Sequence, residues 1–109
     1  FNTMGRRSIS NVPAQALTLM NDPMVQEQAQ VWAKRVLAGQ SVPERRVEGM
    51  YLAAFARPPT GAETAEALAF VERQARELGV EAAQRRDDER SWADLAHVLM
   101  NCKEFIFAN

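Results

Sequence analysis

The side chains able to do chemistry are few and widely spaced. The chain has a single histidine, His97, and a single cysteine, Cys102. A metal or haem site needs several ligands at a recognisable spacing. Around His97 the nearest acidic residue at such a spacing is Asp94, three positions earlier, with no Cys-x-x-Cys-His run, no Cys/His zinc pattern and no glycine-rich phosphate loop. No metal or cofactor site is therefore read. Cys102 ends an apolar helical face, where a thiol acts as a small hydrophobe. Ser8, Ser10, Ser41 and Ser91 fall at turns or helix starts, and none lies in the G-x-S-x-G setting of a nucleophilic serine. Asp87-Asp88 and the Glu63, Glu66 pair fall on faces expected to be wet, whereas paired acid and base carboxylates need a cleft that separates their pKa values. The sequence names no catalytic residue.

Two other groups remain. Arg6, Arg7, Gln15 and Asn21 occupy the stretch least explained by an amphipathic pattern, and Phe105 and Phe107 flank Ile106 in a tail too apolar to be left in water. They are the candidate interface or binding residues, and anchoring to a neighbouring domain ranks above catalysis for them.

The bulk properties narrow the partners. At 109 residues, 47% hydrophobic and 25% charged, the chain has the composition of one average globular domain. Thirteen Lys+Arg against fourteen Asp+Glu give a net charge of −1, so no overall field attracts nucleic acid. No apolar run is long enough for membrane insertion. The start at Phe1-Asn2-Thr3, without an initiator Met, suggests a fragment of a larger multidomain protein.

Helical periodicity supplies the elements that must position these groups. Residues 1–12 read as an extended lead-in and residues 13–109 as helical, a single all-α domain with a compact bundle of about five helices and no strand. The helices are expected at Pro13–Asn21, Pro23–Ala38, Val42–Ala56, Gly61–Leu78 and Trp92–Cys102. Asn21-Asp22-Pro23 makes a corner between the first two, and Ser41-x-x-Glu44, Thr60-x-x-Glu63 and Ser91-x-x-Asp94 read as capping boxes. Gly79 stands as a C′ residue, and the charged run from Gly79 to Arg90 reads as a solvated linker or frayed helix. The expected core is Trp32, Val36, Met50, Phe55, Leu68, Val71, Trp92, Leu95 and Leu99.

The run from Arg6 to Pro23, with Pro13, Gln15-Ala16-Leu17 and Asn21-Asp22-Pro23, resembles the R-x-x-x-x-x-P-x-Q-A-L-x-x-L-N-D-P signature of a planctomycete secreted domain family of no established function. The likeness continues through Glu27-Gln28-Ala29, Arg57-Pro58-Pro59-Thr60 with Glu63, and Trp92 to Phe105. Met20 stands where leucine is usual in that signature, a volume-conserving exchange. The resemblance implies the C-terminal part of the family's domain, exported to the periplasm or outer surface. It also implies a multidomain parent, which can carry a signal peptide and a cytochrome c-like haem module elsewhere, outside these residues.

The leading expectation is thus a non-catalytic helical structural or interaction module of a secreted bacterial multidomain protein, with the parent's other domains as partners. One alternative has Arg6, Gln15 and Asn21 lining the pocket of a parent enzyme, one that acts on polysaccharide. Another is a helical protein-protein adaptor.

Overall fold

The computed structural model describes residues 23–101. They form four α-helices and one 3-10 helix: α1 (Pro23–Gly39), α2 (Pro43–Phe55), α3 (Gly61–Glu77), the 3-10 helix Ala82–Asp87, and α4 (Glu89–Met100). No strand occurs among the described residues, so the fold is all-α. The expected helix Pro13–Asn21, the lead-in over residues 1–12 and Cys102 lie outside the described residues.

Each helix boundary has a local cause. Pro43 takes the first position of α2, where its missing N–H costs nothing, behind Val42 as the N-cap. The Ser41 capping box does not form. Instead, Gln40 Oε1 accepts from the amides of Ser41 (3.1 Å) and Val42 (3.3 Å). With Val42 as N-cap the helix starts one residue later than the box requires, so Glu44 is not at its third position, and Gln40 takes the Ser41 amide that Glu44 would have met. Ala56 ends α2 in the left-handed region (φ 60°), donating its N–H to the Leu52 carbonyl, and Pro58-Pro59 prevent continuation.

At α3 the Thr60 box forms as expected. Thr60 Oγ1 accepts from the Glu63 amide at 3.1 Å and Glu63 Oε1 accepts from the Thr60 amide at 2.9 Å. Gly79 (φ 80°) closes α3 with the paired bonds of a Schellman motif, Gly79 N–H to Arg76 O (3.0 Å) and Val80 N–H to Ala75 O (2.9 Å). The start of α4 differs from expectation. Asp88, not Ser91, is its N-cap, because the carboxylate both favours the positive helix end and accepts from the Ser91 amide (3.0 Å) and hydroxyl (2.7 Å).

The core lies between α2, α3 and α4. Met50, Phe70, Val71, Trp92, Leu95 and Leu99 are among its largest fully buried side chains. α1 packs chiefly on α4, through Ala29 and Ala33. Those small residues let the two helices approach closely, so Trp32 and Val36, expected in the core, sit half-buried on its flanks. Phe70 is the reverse case, fully buried although it stands outside the expected core.

Two consequences can be measured by chemical denaturation. Truncating the fully buried Trp92 to alanine lowers stability by about 3–5 kcal/mol. Ala56→Gly raises it by about 1 kcal/mol, because glycine adopts the left-handed conformation without the Cβ clash.

Candidate functional site

The candidate residues Arg6, Arg7, Gln15, Asn21, Phe105 and Phe107 lie outside the described residues. Within them, three polar constellations stand out, and all are built on helix ends or helix faces.

The first surrounds Arg46. It stands on the inner face of α2, four residues before Met50, and only 5% of it is exposed, whereas its neighbour Arg45 points outward in an i,i+3 pair with Glu48. Arg46 Nε donates to the Gln40 carbonyl at 2.6 Å. Its Nη1 donates to the Arg86 carbonyl at 2.8 Å and to Asp87 Oδ1 at 2.9 Å. The guanidinium lies over the Trp92 ring, 5.5 Å from the centroid. Trp92 Nε1 donates to the same Arg86 carbonyl at 2.7 Å. One backbone oxygen of the 3-10 helix thus receives a donor from α2 and a donor from α4. The expected solvated linker therefore carries the contact that joins two helices, although its side chains remain outside the core.

The second constellation closes the α2–α3 corner. Arg57 grips Glu63 in two parallel bonds of 2.8 and 3.0 Å, and its guanidinium covers the Tyr51 and Phe55 rings at 5.6 and 5.7 Å. Those rings meet edge to face at 5.1 Å. Glu63 was expected to be wet, but its side chain is only 14% exposed. The bond from Arg57 holds its carboxyl below the ordinary 4.5, against the opposing effect of burial, with Thr60 adding to the lowering.

The third joins α3 to α4. Gln74 is buried, and its Nε2 donates to Asp94 Oδ2 at 3.0 Å. Burial pushes the Asp94 carboxyl above the ordinary 3.8, and Asp88 adds to this, while Gln74, His97 and Arg90 pull the other way. Asp94 opens on a cleft of about 390 Å³ whose lining includes Gln30 and Lys34 of α1 and Arg90 of α4. One turn beyond it, His97 is buried and its Nε2 has no hydrogen-bond partner. Arg73 Nη2 is also buried without a partner, beside the Phe70 ring. Among the described residues no group of three or more His, Cys, Asp or Glu could hold a metal ion, and no helix is long and apolar enough to cross a membrane. Chemically, this constellation offers a carboxyl that holds its proton more tightly than usual on a cleft shared with Lys34 of α1 and with Glu89 and Arg90 of its own helix.

Sequence reasoning passed over Arg46 and Gln74. Their signal was a polar residue on an apolar stripe: Arg46 precedes Met50 and Ala54 at intervals of four, and Gln74 follows Ala67 and Val71 at intervals of four and three.

The two shifted carboxyls act on stability with opposite signs. Glu63 titrates lower in the fold than in the unfolded chain, so its contribution is complete above pH 4.5 and fades as the pH falls through its folded value. Asp94 titrates higher in the fold, so it favours folding most below pH 3.8 and loses that advantage as the pH rises through its folded value. In melting curves taken across this range, Glu63→Gln lowers the melting temperature at pH 7 and its deficit shrinks on acidification. Asp94→Asn raises the melting temperature at pH 7, and its advantage shrinks on acidification.

The sequence pattern of PSD1, a protein of unknown function (DUF1553), matches residues 1–71. No curated protein and no solved structure matches the chain. The matched stretch takes in Arg46, Arg57 and Glu63, ends inside α3, and stops short of Gln74, Trp92 and Asp94. With well over half its length covered, the chain belongs to the PSD1 family of proteins of unknown function.

Proposed function

We propose that this domain is a non-catalytic helical interaction module of a larger exported protein, held to its neighbouring domains by its terminal segments. Arg6, Arg7, Gln15 and Asn21 serve on the N-terminal side, and Phe105 and Phe107 on the C-terminal side. The observation that supports this reading is where the charges of the helical body go. Arg46 is committed to Gln40, Arg86 and Asp87, Arg57 to Glu63, and Asp88 to the start of α4. These polar side chains hold the fold: the recorded donors of Arg46 and the bidentate face of Arg57 are directed at the domain's own acceptors. The family pattern runs through the arginine- and glutamine-bearing segment as well as α1 and α2, so that segment is shared with relatives along with the scaffold.

The test is the double variant Arg6→Ala, Gln15→Ala, compared with the unaltered chain in thermal melting and in calorimetric titration with the remainder of the parent protein. The expected result is an unchanged melting temperature with association weakened at least tenfold. A lowered melting temperature with unchanged association would show that these residues serve the domain's own fold, and would overturn the reading.

A further inference from the structure

Residues 79–88 leave α3 at Gly79 and rejoin the helical body at Asp88, which stays fixed as the cap of α4. None of the residues of the 3-10 helix Ala82–Asp87 is buried. What seats this segment is polar. Its Arg86 carbonyl takes the donors of Arg46 and Trp92, and its Asp87 carboxylate, 65% exposed, takes Arg46. Its Arg86 side chain reaches Glu72 of α3 at 2.9 Å and Glu44 of α2 at 4.0 Å, both through exposed groups. Ion pairs in contact with water hold weakly and are screened by salt. Segments with little apolar burial open at a lower free energy than the core that carries them. Directly beneath lies Trp92, fully buried and belonging to the best-packed helix, yet with its indole N–H bonded to the segment rather than to any helix.

We propose that residues 80–87, between Gly79 and the fixed Asp88, form a strap that lifts from the helical body as one unit while α1 to α4 stay folded, and that each lift uncovers the Trp92 indole N–H and the Arg46 guanidinium together. Gly79 supplies the pivot at one end, since its φ of 80° is open to glycine without strain. The junction before Asp88 supplies the other, because Asp88 is tied to Ser91 and not to the strap's seat.

Native-state hydrogen exchange followed by NMR separates this from global unfolding. The Gln84 amide of the strap and the Asp88 amide at its end, bonded to Glu81 and Arg85, should exchange together with the Trp92 indole N–H, at least tenfold faster than the backbone amides of Leu95 and Ala96 in the same helix as Trp92. Added salt should speed the strap and the indole by a common factor, both staying well ahead of the α4 backbone. Asp87→Ala removes the carboxylate that pairs with the buried Arg46 guanidinium and should accelerate strap and indole by the same factor, at least twofold. Glu72→Gln, outside the strap, should do the same through Arg86. If the indole N–H exchanges at the rate of the α4 backbone, or if either variant accelerates the strap amides without the indole, the strap does not lift off Trp92 as a unit and the proposal fails.

Discussion

A guanidinium taken out of water must be met by acceptors wherever it donates, and at Arg46 those acceptors come from separate stretches of chain. The Gln40 carbonyl lies before α2, and the Arg86 carbonyl and Asp87 carboxylate lie some forty residues later. An unpaired buried charge costs several kcal/mol, so these stretches are constrained together. The constraint extends to α4, because the Trp92 indole has its own N–H to satisfy and shares the Arg86 oxygen to do it. The position of the 3-10 helix is therefore dictated less by its own residues than by two donors waiting on the helices beneath it.

The polar corner at Arg57 and the bridge from Gln74 to Asp94 show how the surroundings divide two similar acids. The Glu63 carboxylate accepts one backbone N–H, that of Thr60, and a bidentate arginine at a helix start, so its charged form is favoured. Asp94 has one neutral amide donor and a partly desolvated position on a helix flank, so its charged form is penalised. The first acid ties two helices together when ionised, and the second tolerates ionisation at some expense to stability. That expense is met by the surrounding apolar contacts of α3 and α4.

Much of the fold was legible because it rests on local rules. Pro43, the Thr60–Glu63 box, Pro58-Pro59 and Gly79 act within a few residues of where they stand, and the structure uses each of them at a helix boundary. The fold's non-local terms were not legible. The stripe of Met50 and Ala54 turns Arg46 inward, but nothing near it in sequence says what meets its charge, which is a carbonyl forty positions away. The Ser41 box failed because α2 starts one residue later, with Val42 as its N-cap, and Gln40 takes the Ser41 amide. Phe70 and Trp32 exchanged roles because close approach through Ala29 and Ala33 moved the centre of the core away from the large residues of α1. As for the candidate site, the terminal residues the sequence pointed to lie outside the described residues, whereas Arg46, Gln74 and Asp94 emerged only from their three-dimensional neighbours.

The packing of α1 on α4 joins the first helix of the described body to its last. During synthesis, α1 leaves the ribosome some sixty residues before the helix it packs on, and contacts that distant in sequence form late. Until Trp92 and Leu95 emerge, Ala29 and Ala33 have no surface to close against, and Arg46 has no indole beneath it. The boundary of family similarity at residue 71 is therefore not a boundary of folding. A nascent chain halted there would carry the inherited pattern as helices with no core to join.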